Sequence, residues 1–230
     1  MGKAGEYNKG LGDGWYHCMK IMKKRQLEMF LEKVPLFEHP QVKLEQYRTP
    51  APIAADMLFI AYQHGDIADK IALDLGTGTG MFAVGAAVLG AYQVLGIDCD
   101  DTALGMARGF AHDHDLFISF LKQDISDVSI SADTVLMNPP FGAQKANQHA
   151  DRAFIKKAVT SAPVVYSLHL TNTIPFITKL CTALDAEIQV LQSYTMPIKS
   201  LYDFHKKMVE HFDVSLLQIY SKHGDEKSVV

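Results

Sequence analysis

The sequence predicts an α/β fold built on a mostly parallel β-sheet. From about residue 70 onward, short apolar runs that are typical of strands alternate with segments of helical spacing. The first predicted strand runs into a glycine-rich stretch, DLGTGTG. The last two predicted strands have little helical sequence between them. Alternation of this kind places strands in parallel with helices on both faces of the sheet. The last two strands should instead form an antiparallel pair at one edge.

The individual elements follow from local patterns in chain order. The predicted helices are Met19 to Val34, Ile53 to Tyr62, Met81 to Gly90, Asp101 to His112, Asp151 to Thr160 and Thr171 to Leu184. Prolines between the first two exclude one long helix. The predicted strands lie in KIALD, YQVLGID, FISFLKQD, DTVLM, PVVYSLH, EIQVLQSYTMPI and VSLLQIYS. This order matches the seven-stranded, Rossmann-like fold of class I methyltransferases, in which ligands bind beyond the carboxyl ends of the strands.

Composition and charge indicate one globular domain. The 230 residues are 48% apolar and 21% charged, with a net charge of −4, so any nucleic-acid binding must use local basic patches. We expect residues 1–18 to be a flexible extension and residues 19–230 to form a single methyltransferase domain. Three scattered cysteines without metal spacing predict no metal site and a reduced, cytoplasmic protein, with the nucleus as a second candidate compartment. No apolar run approaches the ~18 residues that a membrane helix needs.

Acidic residues follow three successive strands and predict a cofactor site. Asp74 stands two residues before the first glycine of the loop, where an acid suits a cationic ligand better than a diphosphate. Asp98 ends the second strand and can accept both hydroxyls of a ribose. Asp124 ends the third strand, where methyltransferases typically have an acid that holds the exocyclic amine of the cofactor adenine. Capping of helices and turns is the alternative for each acid taken alone. The residues expected to bind S-adenosylmethionine are Asp74, Gly76, Thr77, Gly78, Asp98, Cys99, Asp124, Ile125 and Asn138.

The fourth strand ends in Asn138, Pro139, Pro140 and Phe141, a motif that predicts the catalytic residues. The prolines remove amide donors, so the surface offers acceptors: the Asn138 side-chain oxygen and the Pro139 carbonyl. Two acceptors that hold the hydrogens of a conjugated amino group can turn its lone pair toward a methyl donor. Phe141 would stack on a flipped base. The alternative is a Pro-Pro turn that only ends a strand.

These motifs resemble those of the methyltransferase-like-five family of archaea and eukaryotes. LEQYRTP carries the family's E-Q-Y-x-T segment, VYSLH is a family-like strand, and FHKK stands where the family has a basic motif. DLGTGTG departs slightly, because relatives often have cysteine at its two threonines. The resemblance runs from about Met22 to Tyr220. It implies methylation of the exocyclic N6 of an adenine in small-subunit ribosomal RNA, with Gln46 and Thr49 at the cofactor.

The resemblance also implies how RNA and a partner protein bind. Charges that neutralise phosphates and rings that stack on bases are expected at Lys23, Lys24, Arg25, Phe204, His205, Lys206 and Lys207. Without the resemblance, an ordinary solvated face would be the preferred interpretation. Eukaryotic members work with a small zinc-binding activator subunit that adds a strand to the edge formed by strand three, here Phe117 to Asp124. Burial under the chain's own helices is the alternative for this edge.

Other functions remain open from the residues alone. Protein glutamine and guanine-N2 methyltransferases also use Asn-Pro-Pro-aromatic motifs, and a non-catalytic RNA-binding factor in ribosome assembly is a rival from another class. A nicotinamide oxidoreductase fits less well, because the glycine loop lacks the pyrophosphate pattern. Tyr47 and Tyr202 suit the substrate pocket or the core equally, and His169 suits a structural role at least as well as a catalytic one.

Overall fold

The computed structural model describes residues 22–141, 150–199 and 209–222, and it confirms the predicted fold class. Seven strands form one sheet in the order β3-β2-β1-β4-β5-β7-β6. The first five strands pair in parallel, and β7 is antiparallel to both of its neighbours. The strands are β1 Ile71–Leu75, β2 Gln93–Asp98, β3 Ser119–Lys122, β4 Thr134–Met137, β5 Val164–Leu170, β6 Ala186–Lys199 and β7 Val209–Ser221. β3 therefore lies at one edge of the sheet and β6 at the other.

Six α-helices connect or cover these strands in the described part of the chain. They are α1 Lys24–Leu31, α2 Ala51–Gln63, α3 Met81–Val88, α4 Asp101–Asp113, α5 Ala150–Ser161 and α6 Ile174–Ala183. The start of α2 lies two residues earlier than predicted, because a proline is tolerated in the first turn and Pro52 lies there. The segment predicted as one helix from residue 171 is a short 3-10 turn followed by α6.

The two faces of the sheet carry separate apolar cores. Alternate strand residues point to opposite faces, so Leu136 of β4 joins one cluster while Met137 joins the other. Helices α1 to α4 contribute to the first cluster, and α5 and α6 contribute to the second. A Cβ on Gly85 of α3 would collide with Leu58 of α2, so this glycine lets the two helices pack closely. No helix among residues 22–141, 150–199 and 209–222 is long and apolar enough to span a membrane.

A buried polar network joins the amino-terminal part of β5 to β7 and to the end of α2. The hydroxyl of Tyr166 donates to Asp66 Oδ2 over 2.7 Å and accepts from Gln218 Nε2 over 2.7 Å. His64 Nδ1 lies 2.9 Å from the same hydroxyl. Tyr166 is fully buried, so these partners satisfy a group that could not reach water. The network joins β5, β7 and the end of α2 at a distance from the carboxyl ends of the strands.

Candidate active site

The carboxyl ends of β1, β2 and β4 surround a cavity of about 250 Å³. Of the sequence-predicted cofactor residues, the cavity is lined by Gln46, Gly76, Gly78, Asp98, Cys99, Asp124, Ile125 and Asn138. Pro140 of the predicted catalytic motif also lines it. Phe37 and Phe154, which belong to no motif in the sequence, supply aromatic walls, and Tyr47, which suited pocket and core equally, also lines the cavity. The fold thus brings most of the predicted cofactor residues together at the edge where this class of sheet binds ligands.

The glycine loop after β1 follows the end of β2 closely. Gly76 and Thr77 both donate their backbone N–H to the carbonyl of Ile97 over 2.9 Å. Gly78 has a φ of 54°, a left-handed conformation that favours glycine, and it donates its N–H to Asp98 Oδ2 over 2.8 Å. A Cβ on Gly78 would lie 2.8 Å from Cζ of Phe37. The loop therefore presents bare backbone to the cavity under the ring of Phe37.

Asp74 lies beneath the glycine loop rather than on the cavity wall. It is only 1% exposed, and its Oδ2 accepts from Thr77 Oγ1 over 2.6 Å and from the N–H of Ala83 over 2.8 Å. Its Oδ1 is buried and has no partner in the described part of the chain. Burial raises the pKa of this carboxyl to about 7. Asp74 and Thr77 thus hold the loop to the start of α3, and direct contact with a cofactor stays a prediction for both.

Asp98 and Asp124 each stabilise a turn and also line the cavity. Asp98 accepts from Gly78 and, through Oδ1, from the N–H of Asp100 over 2.9 Å. Burial raises the pKa of Asp98. Asp124 accepts from the N–H and the hydroxyl of Ser126 over 2.9 Å and 2.7 Å, which lowers its pKa and keeps it anionic. Each acid therefore orders its own strand end and still faces the cavity.

Gln46 holds the segment before α2 across the edge of the cavity. Its Oε1 accepts from the N–H of Gln41 over 2.8 Å, and its Nε2 donates to Asp100 Oδ2 over 2.7 Å. Asp100 also caps α4 by accepting from the N–H of Thr102 over 3.0 Å. Both polar atoms of the Gln46 carboxamide thus have protein partners. The Gln46 side chain anchors this segment, and its predicted cofactor contact is untested.

Asn138 occupies the end of β4 with its carboxamide oriented by a neighbour. Its Nδ2 donates to Thr49 Oγ1 over 2.9 Å, and Thr49 is 5% exposed. The Oδ1 of Asn138 and the hydroxyl of Tyr47 are both buried without a partner among the described residues. The rings of Tyr47 and Phe141 pack with centroids 5.4 Å apart. Of the four motif residues, Asn138 and Pro140 line the cavity. Pro139 is buried, and Phe141 lies against Tyr47.

The predicted RNA-binding residues are only partly described. Lys23, Lys24 and Arg25 are exposed at the start of α1, and Lys24 forms an ion pair with Asp56 that raises the lysine pKa. This pair leaves Lys24 less available for a phosphate than its neighbours. The residues Phe204, His205, Lys206 and Lys207, as well as Tyr202 and the predicted extension 1–18, lie outside the described residues.

Two other predicted features have clear positions. β3 forms an edge of the sheet but is shorter than predicted, Ser119–Lys122. Leu121 is 41% exposed and Phe117, two residues before the strand, is 86% exposed, whereas Phe120 is buried in the core. His169 is buried with its Nε2 2.7 Å from Ser167 Oγ, and burial lowers the histidine pKa to about 3. This environment favours the structural interpretation of His169. Within the described ranges, no group of three or more His, Cys, Asp and Glu residues could hold a metal ion.

The fold and the site together define a methyltransferase of the S-adenosylmethionine-dependent kind. Residues 54–162 match the methyltransferase small domain family. A crystal structure of a proposed RNA methyltransferase from Pyrococcus horikoshii has a TM-score of 0.81 and 33% identity, over 87% of this chain and 98% of that one. A structure from Thermoplasma acidophilum has a TM-score of 0.68 and 27% identity, over 86% of this chain and 97% of that one.

Relatives that cover most of the chain identify the family. The chain is 37% identical to the rRNA N(6)-adenosine-methyltransferase METTL5 of Danio rerio, over 86% of this chain and 98% of that protein. It is also 37% identical to Mettl5 of Drosophila melanogaster, over 85% of this chain and 95% of that protein. The chain belongs to this METTL5 family, as the resemblance in its motifs indicated.

Proposed function

We propose that the protein methylates the exocyclic N6 of an adenosine in small-subunit ribosomal RNA. The observation that carries the proposal is the carbonyl oxygen of Asn138, an acceptor without a partner in the described chain, at the end of β4 beside the cavity. The names of the relatives support adenosine as the base and ribosomal RNA as the substrate. The choice of the small subunit rests on the family-like segments EQYRT, VYSLH and FHKK.

The residues around the cavity suit S-adenosylmethionine, which supplies an electrophilic methyl group on a positively charged sulfonium. Asp98 and Asp124 offer carboxylates for the ribose hydroxyls and for the adenine amine. Gly78 leaves space that a Cβ would fill. Asp74 places a further carboxyl under the loop, with one buried oxygen that has no partner among residues 22–141, 150–199 and 209–222. Carboxyl groups this close to the glycine loop suit a cationic ligand better than the diphosphate of a dinucleotide.

The catalytic motif positions an amine rather than removing a proton from it. The Asn138 side-chain oxygen and the Pro139 carbonyl accept the two hydrogens of the amino group, which turns its conjugated lone pair out of the ring plane. Phe141, backed by Tyr47, offers an aromatic face for the base. The nitrogen becomes acidic once it is alkylated, and its proton can pass to water. Catalysis therefore depends on orientation and on fixed dipoles.

RNA and a partner protein would use surfaces outside the cavity. Lys23 and Arg25 are exposed and could neutralise phosphates of a bound RNA. A small zinc-binding activator would add a strand to the β3 edge, where Phe117 and Leu121 are open to a partner. The exposure of these side chains supports the proposal, which otherwise depends on the family resemblance.

The test measures the methylated product directly. The protein is incubated with S-adenosylmethionine and unmodified small-subunit RNA, with and without a zinc-binding activator, and the digested nucleosides are analysed by mass spectrometry. Asn138→Ala removes the acceptor, and Asn172→Ala is a matched control because Asn172 is exposed on the turn before α6. We expect N6-methyladenosine from the wild type and from Asn172→Ala, and at least about a hundredfold less from Asn138→Ala.

Other products would change the assignment in defined ways. N2-methylguanosine, or a methylated protein glutamine in ribosomal extracts, would retain the chemistry of the motif and replace the substrate. S-adenosylmethionine binding without any methylated product would favour the non-catalytic RNA-binding role. Methylation of large-subunit RNA alone would contradict the choice of subunit.

A further inference from the structure

The hydrogen bond between Thr49 and Asn138 joins two segments that lie 89 positions apart in the chain. Thr49 stands immediately before the N-cap of α2, and Asn138 directly follows β4. The donor is Asn138 Nδ2 and the acceptor is Thr49 Oγ1, over 2.9 Å. The remaining polar atom of the carboxamide, Oδ1, has no partner in the described part of the chain. In this orientation the bond engages the NH₂ group, and Oδ1 is the end of the carboxamide that is not hydrogen-bonded.

The orientation matters because the two ends of a carboxamide have nearly the same shape and opposite hydrogen-bonding roles. A rotation of 180° about the last side-chain bond would present the NH₂ group of Asn138 in place of its oxygen. Two donors would then face the amino group of the substrate, which also carries two donors. Such an arrangement would leave buried polar groups unpaired, and it could not turn the lone pair of the amine.

We propose that Thr49 is a positioning residue that acts on the substrate through Asn138. By engaging Nδ2, the Thr49 side chain holds Oδ1 as the acceptor for the amine that is methylated. The inference deepens the proposed function and rests on it. It assigns Thr49 a different task from the cofactor contact that the family resemblance implies.

The surroundings of Thr49 suit this task. Its side chain is buried, and a β-branched side chain has few rotamers to choose from. The following residue, Pro50, restricts the backbone of Thr49 and directly precedes α2, whose residues Met57 and Leu58 are fully buried in the core. Thr49 itself is absent from the residues that line the cavity. The acceptor is thus fixed to a rigid element, which keeps a side chain in one productive geometry.

The first experiment separates positioning from cofactor binding with two variants. Thr49→Val keeps the shape of the side chain and removes the acceptor, whereas Thr49→Ser keeps the hydroxyl. We expect Thr49→Val to lower kcat by about tenfold or more, with an S-adenosylmethionine Kd within about twofold of wild type. Thr49→Ser should recover most of kcat. A large rise in the Kd with an unchanged kcat at saturation would overturn the inference and support the cofactor contact.

A double mutant links the effect to Asn138. If Thr49 acts only through the carboxamide, Thr49→Val should cause no further loss of activity in an Asn138→Ala background. Additive losses in the double mutant would overturn the inference. The rates are measured on whichever amine the wild type methylates, because any planar NH₂ group needs the same acceptor. A change of substrate would therefore contradict the proposed function without deciding the role of Thr49.

A spectroscopic measurement decides the orientation even if no substrate is found. In ¹⁵N-labelled protein, the side-chain NH₂ signals of Asn138 are assigned as those lost in Asn138→Asp. Thr49→Val should shift one of the two protons upfield because its hydrogen bond is lost, and Thr49→Ser should leave the signals near their wild-type positions. Identical signals in wild type and Thr49→Val would show that the hydroxyl does not orient the carboxamide.

Discussion

The ring of Phe37 lies directly against Gly78, so closely that a Cβ on the glycine would be 2.8 Å from Cζ of the phenylalanine. Both residues line the cavity, and Gly78 also has a positive φ of 54°. One side of the cavity is therefore formed by the segment before α2, and the other by the glycine loop after β1. Phe37 can approach the glycine loop this closely because Gly78 has no side chain.

Gly78→Ala should impair S-adenosylmethionine binding. The new Cβ would displace Phe37 and would strain a left-handed backbone by about 1 kcal/mol or more. We expect a loss of affinity of at least about tenfold, measured by calorimetric titration. Gly105→Ala in α4 is the matched control, because a Cβ there meets nothing within 4 Å. The control should be as stable as wild type or slightly more so; equal affinities in both variants would contradict the assignment of this loop.

Asp74→Asn should change how stability depends on pH. The pKa of Asp74 is raised from 3.8 to about 7, so between these values the folded chain keeps a proton that the unfolded chain has lost. The contribution of Asp74 to wild-type stability therefore falls as pH rises from about 4 to about 7, and stays low above that. Asparagine does not titrate. We therefore expect the free energy of unfolding of Asp74→Asn, relative to that of wild type, to rise by a few kcal/mol between pH 5 and pH 8.

Denaturant titrations of both proteins across that range check this result. Asp124→Asn supplies the opposite sign in titrations extended below about pH 4, because hydrogen bonds from Ser126 lower the pKa of Asp124 from its ordinary value of 3.8. In wild type, the stabilisation that this carboxylate provides is lost as pH falls through the lowered pKa. In Asp124→Asn, stability does not depend on this titration. Parallel stability curves for wild type and Asp74→Asn would show that Asp74 titrates normally.

Tyr166→Phe should destabilise the fold without affecting the active site. The change removes a hydroxyl that donates to Asp66 and accepts from Gln218 in a buried network. Leaving those partners unpaired should lower the free energy of unfolding by about 1 to 3 kcal/mol. Tyr92→Phe is the control, since Tyr92 is 79% exposed. Methyl transfer at a temperature where both variants are folded should stay near the wild-type rate, and a specific loss of kcat in Tyr166→Phe would contradict this separation.

Tyr47→Phe should behave differently from Tyr166→Phe, although both remove one buried hydroxyl. The hydroxyl of Tyr47 is buried and forms no hydrogen bond of normal geometry with the described residues, although the side chain of Asn138 lies near it. Its removal relieves a desolvated group and keeps the contact of the ring with Phe141. We expect a free energy of unfolding within about 0.5 kcal/mol of wild type, or higher. Thermal unfolding of the ligand-free protein is the measurement. A destabilisation as large as that of Tyr166→Phe would mean that the Tyr47 hydroxyl has a partner in solution.

Much of the fold and part of the site could be predicted from local sequence. Short apolar runs, helical spacing and glycine turns specify the elements over stretches of about five to fifteen residues, and parallel strands bring their carboxyl ends to one edge. This logic placed Asp98, Asp124 and Asn138 at the same cavity. The family resemblance, rather than local sequence, predicted that β3 would lie at an edge, and the strand order confirms this.

Contacts between distant segments decided the rest. Whether an acid lines the cavity or lies beneath the loop depends on which way a strand residue points, and Asp74 points toward α3 rather than into the cavity. Phe37 carries no pattern of its own, and its position over Gly78 arises only when the segment before α2 folds across the loop. Local sequence can thus name the strands, the glycine loop and the motif after β4. Only the packed tertiary structure pairs Thr49 with Asn138 and leaves one carbonyl oxygen free, because hydrogen-bond partners 89 positions apart are set by packing.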